Sequence, residues 1–152
     1  MPDVKTVTPY LCAKGADAAL AFYKQVFGAE ELFRMTDPGD GRIGHAEFRI
    51  GATVLFLADE YPDFGAVGPE TLGGSPVALH VQVDDCDAVM TAAEAAGALV
   101  LRKPANQSFG ERMGQFQDPW GHRWFIAQKT EEVSPEEMHR RIRHITEHLN
   151  HA

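Results

Sequence analysis

Along the segment Ile43–Ile50 an imidazole, a carboxylate and a guanidinium, from His45, Glu47 and Arg49, alternate with apolar residues. In an extended strand every second side chain stands on the same face, so these three share one side. Such a set orients a ligand by hydrogen bonds, or, through Glu47, supplies a general base. Equally, it is the pattern of an exposed, charge-paired strand face. Phe56 argues for a pocket, because a water-facing strand rarely carries a phenyl ring at its centre, and Phe125 occupies the corresponding place in the second half of the chain. His80 is a further polar candidate, and a second candidate base, on a strand that precedes Phe125. Glu111, Arg112, Gln115 and Gln117 are ligand contacts or ordinary strand polarity. Of the tail histidines His139, His144, His148 and His151, only His144 and His148 have the spacing of helical metal ligands, and without a third ligand they read as surface residues.

These side chains need a sheet to hold them. Ala19, Leu20, Tyr23 and Phe27 fall at helical spacing and predict a helix over Ala16–Phe27, stopped by Gly28. Val89, Met90, Ala93 and Ala96 predict a second over Asp85–Ala96, stopped by Gly97. The two glycines are 69 residues apart, and the same offset places Val54–Ala58 on Arg123–Ala127, Phe on Phe and Ala on Ala. A duplicated unit of one helix and four strands follows. In the first copy the strands are Thr6–Ala13, Glu31–Thr36, Ile43–Ile50 and Thr53–Asp59; in the second, Val77–Asp84, Leu99–Lys103, Arg112–Gln117 and His122–Gln128. The Gly51-Ala52 turn sets Ile50 opposite Thr53 and Glu47 opposite Phe56. Ala46, Phe48, Ile50, Leu55 and Leu57 then face the helices, and His45, Glu47, Arg49, Val54, Phe56 and Ala58 face the other way.

The fold expected is α+β: two βαβββ modules with pseudo-twofold symmetry, about 6–60 and 77–128, forming a single domain over 1–130 and enclosing one shared pocket. A Gly- and Pro-rich loop, 61–76, joins them as a linker with some lid character. A C-terminal helical extension, 131–152, opens on Ser134-Pro135-Glu136-Glu137, the signature of an N-cap with a capping box. Its apolar face of Met138, Ile142, Ile145 and Leu149 calls for a partner surface.

With 152 residues, 44% hydrophobic and 24% charged, the chain is of ordinary globular composition. A net charge of -8 argues against nucleic acid or an anionic membrane as partner. No apolar run approaches the roughly 20 residues of a membrane helix, and Met1–Thr8 lacks the basic-then-apolar pattern of a secretory signal. Cys12 and Cys86 lie in apolar segments without zinc-ligand spacing, so a cytoplasmic location is expected and both read as buried small hydrophobes.

Several strings together carry a resemblance: Ala21-Phe22-Tyr23 with Phe27-Gly28-Ala29, Val83-Asp84-Asp85 with Ala95-Ala96-Gly97-Ala98, and the turn Asp118-Pro119-Trp120-Gly121-His122. The chain resembles the glyoxalase, bleomycin-resistance and extradiol-dioxygenase superfamily, also called vicinal oxygen chelate. Gly44-His45-Ala46-Glu47, Leu57-Ala58-Asp59-Glu60, Leu72-Gly73-Gly74-Ser75-Pro76 and Val133-Ser134-Pro135-Glu136-Glu137-Met138 narrow it to the PhnB-like branch. The resemblance implies a divalent metal held from the first and last strand of each module, at positions that are Thr8, Phe56, Ala78 and Phe125 here. Two phenyl rings, a methyl and a hydroxyl are not transition-metal ligands, so no cofactor is expected. A displaced two-His, one-carboxylate site at His45, Glu47 and His80 is the alternative.

Three functions compete. The first is a small-molecule binder, with Phe56, Phe125, Tyr10 and Trp124 for stacking or packing and His45, Glu47, Arg49 and His80 for orientation. The second is a metal-dependent or metal-free lyase, isomerase or oxygenase of that superfamily using Glu47 or His80. The third is an interaction protein. A homodimer, with or without exchange of modules between chains, is expected to cover the concave sheets.

Overall fold

The computed structural model describes the backbone of residues 1–150 and the side chains through Thr146. The first module consists of β1 (Tyr10–Cys12), α1 (Ala16–Phe27), β2 (Glu30–Thr36), β3 (Ile43–Ile50) and β4 (Thr53–Ala58). After a 3-10 turn at Pro62–Phe64 and the one-turn helix α2 (Pro69–Leu72), the second module runs β5 (Ala78–Gln82), α3 (Cys86–Ala95), β6 (Leu99–Asn106), β7 (Glu111–Gln117) and β8 (Arg123–Lys129). The helix α4 (Pro135–Asn150) follows. Each module is a four-stranded mixed sheet, ordered β1-β4-β3-β2 and β5-β8-β7-β6, so the α+β fold of two βαβββ units is present in full.

The duplicated plan extends to how each helix begins. Asp59, just past β4, accepts hydrogen bonds from Gly15 N and Ala16 N, each 2.9 Å, and from Ile43 N at 2.6 Å. Gln128, which the 69-residue offset aligns with Asp59, accepts from Cys86 N at 2.9 Å. Both satisfy amide groups that a helix start leaves without partners inside the helix. Asp85 adds its own cap by accepting from Ala88 N at 3.1 Å. It therefore precedes α3 rather than opening it.

Ala46, Phe48, Leu55 and Leu57 of the first sheet, and Phe116, Trp124 and Ile126 of the second, lie in one buried cluster with α1 and α3. Tyr23 of α1 stacks on Phe48 at 5.4 Å and lies 5.3 Å from Trp124, and Phe27 lies 4.9 Å from Trp124. The helices are thus between the sheets, whose other faces point away from each other. No described helix is long and apolar enough to cross a membrane.

Three expectations are corrected. The first strand begins at Tyr10 rather than Thr6, because its parallel pairing with β4 starts only where Phe56 N meets Pro9 O. β6 runs on to Asn106 through Pro104, which an edge strand tolerates. The segment expected as a linker is folded: Glu60 accepts from Gly68 N at 2.7 Å and from the Thr71 hydroxyl at 2.6 Å, seating α2 between β1 and the 118–121 turn. That seat is close. Gly121 has φ 98°, and a Cβ there would lie 2.7 Å from Pro69 Cβ. Gly121→Ala is expected to destabilise the protein by about 2–3 kcal/mol through combined strain and overlap, read as a lower urea midpoint.

α4 is tied to the body by Arg141, which donates to Ser108 O at 2.7 Å and pairs with Glu131 and Glu137. Ser134 caps it by accepting from Glu137 N at 3.1 Å. Ile142 and Ile145 are exposed, and His139 and His144 are surface residues, whereas His151 and the side chains of His148 and Leu149 lie outside the described residues.

Candidate ligand site

The hairpin register is as the turn dictates, with Ile50 opposite Thr53 and Glu47 opposite Phe56. Pairing on both flanks then lines up one row across the outer face of the first sheet: Phe33, Glu47, Phe56 and Tyr10, from β2, β3, β4 and β1. The second sheet carries the equivalent row Arg102, Gln115, Phe125 and His80. Duplication has kept the phenyl rings and changed their neighbours.

On the first sheet the row is the centre of a ring cluster. The Tyr10 hydroxyl lies 2.7 Å from His45 Nδ1. Tyr10 is 5.4 Å from His45 and 5.5 Å from Phe56, and His45 is 4.9 Å from Phe56, all edge-to-face. Phe33 approaches His45 at 6.4 Å. Burial, then the nearby Cys12 and Glu47, push the Tyr10 hydroxyl above its ordinary range, so it stays protonated and shares with His45 Nδ1 one hydrogen bond whose donor is set by the imidazole tautomer. Glu47 is half-buried between Phe33 and Phe56, while Tyr10, Phe33 and Met35 remain exposed. Arg49 is drawn aside into an ion pair with Glu30 at 2.5 Å.

Beside this cluster a cavity of about 700 Å³ opens between Tyr10, Cys12 and Met35 on one side and Tyr61, Phe64 and Val67 on the other. Cys12 is only partly buried, unlike Cys86, and burial with the Glu60 and Asp59 charges pushes its thiol up to about 11. It is therefore neutral near pH 7 and a poor nucleophile. Phe33, Met35, Asp37, Tyr61 and Phe64 escaped sequence reasoning. The aromatic and proline content of Pro62–Phe64 was the available signal.

On the second sheet Phe125 is half-buried and His80 exposed beside it. Gln115 is buried, Glu111 accepts from Gln82 at 2.9 Å, and Arg112 grips Asp87 through two nitrogens. Gln117 is half-buried opposite Leu99. Trp124, expected to stack or to pack, points into the core at 1% exposure, because it alternates with Phe125 along β8. His122 Nε2 lies 2.9 Å from Cys12 O and ties the two modules together. Phe56 and Phe125 lie on the outer faces of different sheets and line neither the cavity beside Tyr10 nor the one bordered by Phe27, Leu79 and Trp124.

The residues 5–126 match the model of the Glyoxalase/Bleomycin resistance protein/Dioxygenase superfamily. The chain belongs to that superfamily. A relative, an uncharacterized protein of Mycobacterium bovis, is 37% identical over 135 residues, covering 87% of this chain and 88% of the relative. Among solved structures, a PhnB protein of Bacillus cereus, described as a putative 3-demethylubiquinone-9 3-methyltransferase, matches with TM-score 0.67 at 19% identity, over 82% of this chain and 99% of that one. The fosfomycin resistance protein FosX of Listeria monocytogenes matches with TM-score 0.64 at 15% identity, over 90% of this chain and 98% of that one. Such identities speak for the fold alone.

The superfamily's metal does not fit the positions it would take here. Phe56 and Phe125 offer hydrocarbon, Ala78 a methyl, and Thr8 lies ahead of β1 with a lone hydroxyl. Nor do the described residues gather three His, Cys, Asp or Glu side chains able to hold an ion. His45 and Glu47 share the first sheet, while His80 is on the outer face of the second.

Proposed function

We propose that this superfamily member is a small-molecule binding protein whose ligand lies on the Tyr10–His45–Phe56 cluster. The observation that carries the reading is that cluster itself: packed rings, exposed on one side, around a half-buried carboxylate. Apolar walls with a few placed polar groups are what organic ligands need. We further propose a cytoplasmic homodimer in which the outer face of the first sheet of one chain closes on that of the partner's second sheet. Phe56 and Phe125 then meet in one cleft with Glu47, His45, Gln115, His80 and Arg102. Exposed Tyr10, Phe33 and Met35 on one wall and Leu99 on the other favour such closure, since exposed apolar patches mark contact surfaces.

A thermal-shift screen of organic compounds tests this. A ligand at about 100 times its Kd adds about 2.7 kcal/mol, a shift of several degrees. Phe56→Ala and Phe125→Ala are each expected to weaken it about tenfold or more at unchanged fold. An unaltered affinity in both variants rejects the site.

A second reading is a metal-free enzyme in which Glu47 takes a proton from bound substrate, favoured by its half-buried place between Phe33 and Phe56. Glu47→Gln would then lose turnover and keep binding, whereas in a pure binder it alters affinity only.

A further inference from the structure

The cavity beside the ring cluster has one charged residue among those that line it, Asp37. Its other walls are rings, thioether, thiol and aliphatic groups: Tyr10, Tyr61, Phe64, Met35, Cys12 and Val67. Asp37 Oδ1 is used locally, accepting from Gly39 N at 2.9 Å, whereas among the described residues Oδ2 has only the Tyr61 hydroxyl, at a long 3.5 Å. Asp37 is half-exposed, and as the one acidic group on a largely apolar lining it favours a positive group that brings its own hydrocarbon. Tyr61 already shows affinity for one: the Arg42 guanidinium lies 3.9 Å from its ring centroid, and Arg42, which does not line the cavity, is committed to Asp40 and to Glu60 O. A hydrated metal ion is a poor match, because one carboxylate among rings cannot replace its water shell. An organic cation is a good one, since aromatic faces attract quaternary and protonated amines without demanding hydrogen bonds.

We propose that this cavity binds hydrophobic organic cations, with the positive group at Asp37 between the Tyr61 and Phe64 rings and the apolar remainder directed toward Tyr10. The inference rests on reading the outer face of the first sheet as the ligand surface, and names the class of ligand that surface receives. Tyr10 is the shared element, lining the cavity and belonging to the ring cluster. The neutral Cys12 thiol adds no competing charge.

The test titrates the full chain with benzyltrimethylammonium, its uncharged carbon isostere neopentylbenzene and the anion phenylmethanesulfonate, following chemical-shift changes by NMR. The cation is expected to bind at least about tenfold tighter than either of the others, and Asp37→Asn to abolish that preference while leaving neopentylbenzene unaffected. Asn retains an acceptor for Gly39 N, and an unchanged melting temperature confirms the fold of the variant. Equal affinity for the three probes, binding of none, or a preference that survives Asp37→Asn overturns the proposal. Phe56→Ala separates the two readings. If it weakens ligands while Asp37→Asn does nothing, the cluster stands and the cation preference falls. If only Asp37→Asn has an effect, the cavity stands and the cluster falls.

Discussion

Asp118→Ala is expected to cost about 4 kcal/mol or more, enough to leave the protein unfolded or nearly so at 37 °C. The carboxylate accepts from the Tyr23 hydroxyl at 2.6 Å and Trp124 Nε1 at 2.9 Å, and from the Trp120 and His122 backbone amides at 3.0 Å each. Tyr23 and Trp124 are fully buried, and Tyr23 comes from the first module whereas Asp118 belongs to the second. Without the carboxylate two buried donors have no partner, at about 1–3 kcal/mol each, and the turn loses its two anchors. A domain's whole stability is only about 5–15 kcal/mol. Urea unfolding measures the loss, and an unchanged midpoint rejects the argument. Tyr23→Phe, which keeps the ring and leaves the other three donors in place, is the milder companion, at about 1–2 kcal/mol.

The same bond gives an alkaline signature. Burial, then the Asp118 charge and hydrogen bond, raise the Tyr23 hydroxyl well above its ordinary 10.0. An unfolded chain releases that proton near pH 10 and the folded one does not. This contribution is therefore complete below pH 10 and declines as pH rises above it. Tyr23→Phe is expected to lack that part of the alkaline decline.

The largest functional effect is expected from mixing two weakened variants. If each cleft takes Phe56 from one chain and Phe125 from its partner, neither Phe56→Ala nor Phe125→Ala alone retains a whole site. Refolding them together in equal amounts makes half of the dimers mixed, and each mixed dimer has one intact cleft and one doubly altered. About a quarter of the wild-type binding capacity should return, at wild-type affinity. Sites confined to one chain would recover nothing, and that outcome rejects the arrangement.

The parts of this architecture that follow from local rules were legible. The bounds of α1, the pairing of Glu47 with Phe56 and the inward set Ala46, Phe48, Leu55 and Leu57 come from periodicity and a two-residue turn. Strand ends were less so, since Tyr10 rather than Thr6 begins β1 for want of a partner earlier. Phe33 and Arg102 were hidden by irregularities in β2 and β6 that shift their pairing out of simple alternation. That the outer faces point apart is set by how Tyr23 and Phe27 wedge between the sheets, a long-range fact with no local signal. The cavity at Asp37 depends on a loop whose path is fixed by Glu60, whose bonds to Gly68 and Thr71 have no local signal in the sequence.

The two equivalent rows share only their phenyl rings, Phe56 and Phe125; Phe33 is replaced by Arg102, Glu47 by Gln115 and Tyr10 by His80. A cleft built from two copies of the same wall would accept a ligand in either orientation. If the proposed dimer closes these two walls on one another, one anionic and aromatic and the other an amide between Arg102 and Phe125 with His80 beyond, the cleft would have polarity: a lopsided molecule would dock one way round, and handedness at its centre would become something the protein can discriminate.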